Sequence, residues 1–276
     1  MALDASDLLC APNCRWTGPI SFVSTACSSG LIAPVLAIDM LLAGEADAMI
    51  AGGLDVLLEY TICGFNALRV ASHDRCRPFS AERQGVVLSE GAACFCLERL
   101  DAAVARGATV KAIIAGYGIS CDADHLTAPN VAGVARAITQ ALQTSGLATG
   151  AVGGIFAHGT GTPSNDSNEV AALRAAFGRD DLPPITAIKS VVGHSQAAAG
   201  AFSLLAAILA LEKSSLPPTA GVEPLDPQLS GLDVVNNGGR PLAERHLMVN
   251  AFGFGGNNCV LIVSAPSVRD RAGEAN

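Results

Sequence analysis

Val23-Ser24-Thr25-Ala26-Cys27-Ser28-Ser29-Gly30 joins a β-branched approach to a long apolar run, 31–42, and this junction decides the fold. The pattern reads as a strand over 20–23, a sharp turn and a buried helix over 31–42. Cys27 then sits at a helix N-terminus, where unpaired backbone N–H groups and the positive end of the helix dipole favour an anion. A free thiol of pKa ~8.5 falls to roughly 3.5–7.5 in such a position. That makes Cys27 a candidate nucleophile. A lone cysteine is more often a small buried hydrophobe, so the weight falls on two segments downstream: Ala157-His158-Gly159-Thr160-Gly161-Thr162-Pro163, and Lys189-Ser190-Val191-Val192-Gly193-His194-Ser195.

Composition limits what surrounds this junction. With 276 residues, 50% of them hydrophobic and 15% charged, the chain can bury one large core or two fused halves. Its 29 glycines and 4% aromatics suit layered α/β packing more than an aromatic-rich barrel. A net charge of −8 without a basic block excludes a nucleic-acid binder, which needs clustered cations for phosphates. Nine cysteines, with no basic and apolar leader before them, indicate reduced thiols and a cytoplasmic location. Neither Cys10 with Cys14 nor Cys94 with Cys96 has a second pair at zinc spacing, so no metal is assigned. The run 195–211 is shorter than the ~20 residues of a bilayer span and reads as a buried helix, with no membrane role.

From the N-terminus, residues 1–17 are irregular. A buried strand over 48–51 ends at Gly52-Gly53, a helix covers 59–67, and a charged loop runs over 76–85. A strand over 92–97, a short helix over 101–106 and a strand over 110–120 follow. Asn130 caps a helix over 131–144 that Gly146 ends, after a polar loop at 122–129 carrying His125 and Thr127. His158 ends a strand over 154–157, a helix spans 164–177, Lys189 follows a strand over 185–187, and His194 opens the next helix. Open α/β sheets place catalytic groups at such strand ends. Strands 247–252 and 259–264 form a hairpin with Phe254 in its glycine-rich turn, and the tail 269–276 frays. One strand before the nucleophile is few for such a sheet, which predicts further chain upstream. No period of 20–50 residues repeats.

In this order, Thr25-Ala26-Cys27-Ser28-Ser29-Gly30, His158-Gly159-Thr160-Gly161-Thr162-Pro163, Lys189-Ser190-Val191-Val192-Gly193-His194 and Gly253-Phe254-Gly255-Gly256-Asn257 resemble the β-ketoacyl-(acyl carrier protein) synthases of the Cys-His-His class, from about 20 to 264. The resemblance implies a thiolase-like α/β/α/β/α layered fold whose N-terminal half is incomplete here, since the family carries about a third of its chain before the nucleophile strand. Residues 1–108 would be the remainder of the first thiolase-like half and 109–276 the second.

The implied reaction is decarboxylative Claisen condensation. An acyl group moves from acyl carrier protein to Cys27, malonyl-carrier protein loses CO2, and the carbanion attacks the thioester, giving a 3-oxoacyl product for fatty-acid, polyketide or aryl-polyene synthesis. By position, His158 and His194 are the donors to the malonyl thioester oxygen. Lys189 supports them, with Glu169 as its acidic partner. Phe254 gates the site and shares an oxyanion hole with the Cys27 N–H; Thr160 and Thr162 bind the pantetheine arm, and His125 and Thr127 border the mouth. No cofactor is implied. Partners are acyl carrier protein and either a second copy or another synthase-like subunit. Ser80, Gln84 and Val86 depart from the family's Asp, Asp and Phe, which alters local hydrogen bonding, while Arg83 is retained as a contact for an acidic carrier. Three other readings stay open: a non-catalytic partner of chain-length-factor type, a degradative thiolase using Cys259 as second cysteine, and a truncated gene product.

Overall fold

The computed structural model describes residues 18–267 and 270; the irregular stretch expected over 1–17 and most of the fraying tail lie outside them. Helix α1 (Ser29–Leu42) leads to strand β1 (Ala48–Asp55), helix α2 (Glu59–Ala67), strand β2 (Gly91–Glu98) and helix α3 (Leu100–Ala105). Strand β3 (Ile113–Cys121), helix α4 (Val131–Ser145), strand β4 (Val152–Phe156), helix α5 (Pro163–Phe177), strand β5 (Ile185–Thr186) and the short helix α6 (Lys189–Val192) follow. Helix α7 (Ala199–Lys213), the small strands β6 (Ser215–Leu216) and β7 (Arg240–Pro241), and strands β8 (His246–Gly253) and β9 (Asn257–Ser264) complete the fold.

Five strands form one mixed sheet in the order β3-β9-β8-β4-β5. Strands β4, β5 and β8 are parallel, and β9 is antiparallel to both β8 and β3. Because successive side chains on a strand face opposite sides, β8 and β9 feed two cores at once. Met248, Phe252, Val260 and Ile262 meet α4 and α5 through Val134, Ala137, Ile138, Val170 and Leu173. Leu247, Val249, Ala251, Cys259, Leu261 and Val263 meet α1 and α7 through Leu31, Val35, Leu204 and Ala207. Both faces being covered, these strands read as near-continuous apolar runs, interrupted in β8 by Asn250. Beyond α1 and α7 lies the hairpin β1–β2, so helices and sheets alternate through the molecule. The apolar window Gln196–Lys213 is therefore a core helix, 56% buried between the sheets.

The expected elements are present, with three differences. Among the described residues, 20–23 pair with no strand; an isolated bridge between Thr25 and Cys27 appears just after them. Strand β1 continues through Gly52-Gly53, because a Cβ on Gly53 would lie 2.6 Å from the Ala197 carbonyl oxygen and only glycine permits that approach. His194 does not open a helix. It precedes a 3-10 turn over Gln196–Ala198, and α7 starts only at Ala199.

Candidate active site

The turn before α1 is braced from inside. Ser28 Oγ donates to the Thr25 carbonyl (2.7 Å), Ser29 Oγ donates to the Ala26 carbonyl (2.7 Å) and accepts the Thr25 N–H (2.9 Å). These bonds hold Ala26 at φ 51°, a left-handed conformation costly for alanine, and present Cys27 one residue later. Against this turn lies the end of β8, where a Cβ on Gly253 would meet the Thr25 carbonyl oxygen at 2.6 Å and the Cys27 nitrogen at 3.3 Å. The resulting close approach brings the backbone N–H of Phe254 to the Cys27 sulfur, alongside the N–H of Cys27 itself. Two N–H groups at one sulfur favour negative charge there.

Strand ends deliver the other groups. His158 follows β4, Lys189 follows β5 and Phe254 follows β8, all at the C-terminal ends of parallel strands. The two imidazoles lie edge to face, 5.6 Å between centroids. Lys189 Nζ donates to the His158 carbonyl (2.6 Å) and lies 3.4 Å from His158 Nδ1. An ammonium only donates, so Nδ1 of His158 is the acceptor and its proton sits on Nε2. The Gln196 N–H donates to His194 Nδ1 at 3.1 Å, which fixes the same tautomer there. Burial and the nearby lysine hold both imidazoles well below their ordinary pKa. Both are thus neutral Nε2–H donors.

Cys27 departs from the sequence expectation. It is 6% exposed, and burial pushes its thiol up to about 11, against the opposing pull of Lys189 and the two backbone N–H groups. Desolvation outweighs the helix terminus. Raising pH moves the thiol toward thiolate, so its alkylation by iodoacetamide is expected to rise about tenfold per pH unit between pH 7 and 10. A plateau near pH 8, read by peptide mass spectrometry, would contradict this burial.

Glu169 acts on Lys189 through its charge without touching it. Its carboxylate accepts the N–H groups of His158 (2.8 Å) and Gly159 (2.9 Å) and the Asn250 side-chain amide (2.9 Å). Strand β4 ends where α5 begins, and the carboxylate fills that corner. Arg83 is not available to a carrier protein: its guanidinium is 6% exposed, pairs with Asp226 at 2.5 Å and donates to Ser167. Ser80 is buried and donates to the Pro224 carbonyl. Cys259 points into the core against α1 and α7, where burial raises its thiol, and does not join the site.

A cavity of about 240 Å³ connects Cys27, His158, His194, Thr160, Thr162 and Phe254 with His125 and Thr127 at its rim. His125 Nδ1 accepts the N–H groups of Thr127 and Ala128, shaping that rim. Thr160 and Thr162 hydroxyls lie 2.9 Å apart, and Thr162 caps α5. Sequence reasoning missed Phe65, which stacks on Phe254 at 5.7 Å and meets His194 edge-on at 6.4 Å. It missed Asp166, whose carboxylate accepts the Phe79 and Gly161 N–H groups, and whose burial pushes it up to about 6. The Pro163 start of α5 could have pointed to Asp166, three residues on; nothing local pointed to Phe65.

Comparison with known proteins follows the same segments. Residues 9–103 match the description "Beta-ketoacyl synthase, N-terminal domain" and residues 111–223 "Beta-ketoacyl synthase, C-terminal domain". Nodulation protein E of Rhizobium meliloti is 43% identical over 246 residues, 88% of this chain and 61% of that protein. The 3-oxoacyl-[acyl-carrier-protein] synthase 2 of Mycobacterium bovis is 39% identical over 247 residues, covering 86% and 59%. The type II polyketide ketosynthase AntDE, solved with its acyl-carrier protein AntF, superposes with a TM-score of 0.86 at 32% identity, covering 91% of this chain and 64% of that one. The chain thus spans about three fifths of the length of the relatives it matches.

Proposed function

We propose, from the premise that this chain belongs to the β-ketoacyl synthase family and has its thiolase-like α/β fold, that it performs the decarboxylative condensation of a Cys27-bound acyl group with malonyl-acyl carrier protein. One observation carries the reading: two neutral imidazoles with Nε2–H share a cavity with a sulfur that faces two backbone N–H groups. In the first step the Cys27 sulfur attacks the carrier thioester, the C–S bond to pantetheine breaks, and the thiol proton leaves with the pantetheine sulfur. The N–H groups of Cys27 and Phe254 hold the oxyanion. In the second step malonyl thioester releases CO2, and the electron pair of the broken C–C bond forms an enolate. His158 and His194 donate to the enolate oxygen, a task for preorganised neutral donors. The enolate carbon attacks the Cys27 thioester carbonyl, the C–S bond to Cys27 breaks, and the thiolate so released takes a proton from solvent.

Lys189 holds His158 in its tautomer, and Glu169 holds the His158–Gly159 backbone. Thr160 and Thr162 line the path of the pantetheine arm, with His125 and Thr127 at its mouth. In this reading residues 1–108 are the remainder of the N-terminal thiolase-like half, carrying the nucleophile, and 109–276 are the C-terminal half. The enzyme works in the cytoplasm as a homodimer or beside a synthase-like subunit. The test is intact-mass spectrometry with acyl-carrier protein. Cys27 is expected to gain the acyl mass and, once malonyl-carrier protein is added, to release a 3-oxoacyl product. Cys27→Ala is expected to abolish transfer; acylation confined to other cysteines would sink the assignment.

A further inference from the structure

The two imidazoles keep their tautomers by different means. Lys189 serves His158, whereas His194 depends on a single backbone donor, the N–H of Gln196. That donor belongs to a strained residue: Gln196 has φ 52°, in the left-handed region that non-glycine residues avoid. Such backbone persists only where the surroundings hold it. The turn does not hold itself. Ser195, in the position to cap it, makes no side-chain cap bond, and its buried Oγ pairs with nothing among the described residues. The hold comes from 142 residues earlier, at the end of β1, where Asp55 Oδ2 accepts the Ala197 N–H at 3.0 Å. Oδ1 of the same carboxylate accepts the Val56 N–H at 2.9 Å. The other side of Ala197 is equally fixed. Its carbonyl oxygen lies 2.6 Å from where a Cβ would stand on Gly53 of β1, and 2.6 Å from where one would stand on Gly30, just past Cys27. Ala197 is thus gripped by the strand that carries Asp55 and by the helix that begins beside the nucleophile.

We propose that Asp55 is a positioning residue for the condensation: by holding the Ala197 N–H it keeps the Gln196 N–H on His194 Nδ1, and so keeps the Nε2–H of His194 aimed into the cavity. The inference rests on the donor role given to His194 above. Asp55 does not line the cavity, so it acts through the imidazole. It serves the second imidazole alone, since His158 is held by Lys189 on its ring and by Glu169 on its backbone. A carboxylate suits the task, because the N–H it accepts opens a helical segment, where the helix dipole adds to the hydrogen bond. Its charge reaches further. Burial is the main cause of the raised Cys27 thiol, and Asp55 adds to that upward push. Sulfur and second imidazole therefore both answer to one side chain.

The test places one change in three backgrounds. In the parent, Asp55→Ala is expected to lower CO2 release from malonyl-carrier protein by about tenfold, through kcat and not through KM for the carrier. In a His158→Ala background, where His194 is the remaining donor, it should cost about tenfold again; in a His194→Ala background it should cost less than about twofold, because the residue it positions is gone. Asp55→Asn, which keeps an acceptor for the Ala197 N–H, should recover most of the loss. Equal losses in the two histidine backgrounds overturn the proposal, as does an Asp55→Ala protein within about twofold of the parent. A second measurement needs no turnover. In Asp55→Ala, amide hydrogen exchange followed by NMR should quicken at Gln196 by about tenfold more than at Ile155, whose N–H donates to the Pro184 carbonyl from β4. A gain shared equally by both amides is general loosening and overturns the proposal. A parent that releases no CO2 counts against the synthase reading alone, and the exchange ratio then decides for Asp55.

Discussion

His158→Ala and His194→Ala are each expected to cut malonyl decarboxylation by about 10²–10³ while leaving Cys27 able to accept an acyl group. Removing one preorganised donor from a developing oxyanion costs about 2.7–4 kcal/mol. The two act on one oxygen, so the double variant should lose less than the product of the single losses. Release of CO2 from malonyl-carrier protein measures the effect, separately from Cys27 acylation followed by mass. Either variant within threefold of the parent would remove the imidazoles from the chemistry. The direction of their pKa shifts adds a pH test. Burial and Lys189 keep both neutral below the ordinary histidine range, so the decarboxylation rate should stay level as pH falls from 7.5 through 6.5. Stability should not: the unfolded chain takes up protons near 6.5 that the folded site resists. Their stabilising contribution, complete above that pH, declines toward the folded pKa by about 1.4 kcal/mol per pH unit for each imidazole. Denaturant titrations at pH 7.5 and 5.5 read it, and Asp166, raised to about 6, opposes it by one proton over part of that window.

How much of this was legible beforehand depended on whether the signal was local. The turn around Cys27, the Asn130 cap, and the hairpin carrying Phe254 have short-range signatures, and the structure has each of them. Parallel strands β4 and β5 were legible as apolar runs ending in His158 and Lys189, because strands buried on both faces lose their alternation. Burial itself was not legible. A helix N-terminus is visible in sequence, but the walls that desolvate Cys27 come from β8 and the histidine segments, so the thiol was expected low and lies high. Arg83 shows the same gap: its charge was visible, and Asp226, 143 residues away, was not. Residues 20–23 have strand composition yet pair with no strand among the described residues, and composition alone does not register where a pairing partner lies. Glu169 was paired by resemblance with Lys189, whose charge it feels, while the hydrogen bonds it accepts come from two backbone N–H groups and the Asn250 amide, which no local side-chain pattern announces.

Glu169→Ala is expected to be the most destabilising single change in the site, and the reason is not loss of a charge. Burial raises the pKa of Glu169, so the cost of desolvating its carboxylate exceeds what its hydrogen bonds and Lys189 return. As an ion it opposes folding; as an acceptor it is needed. Alanine leaves the His158 and Gly159 N–H groups and the Asn250 amide without their partner, and the Asn250 Oδ1 already lacks one. At about 1–3 kcal/mol for each buried unpaired donor, the loss is several kcal/mol, a fall in Tm of about 10 °C at roughly 2–4 °C per kcal/mol for a chain of this size. Glu169→Gln separates the two roles. It removes the buried charge and keeps one acceptor oxygen, but aims an NH2 at an N–H that needs an acceptor, so its Tm should fall by less than half as much. Decarboxylation should drop with both variants, because the backbone that aims His158 is what the carboxylate holds, while the rate of Cys27 alkylation, set on the opposite wall, should change by less than twofold. A Glu169→Ala protein that melts within 3 °C of the parent and still releases CO2 at the parent rate would show that this corner of β4 and α5 holds its shape without the acceptor.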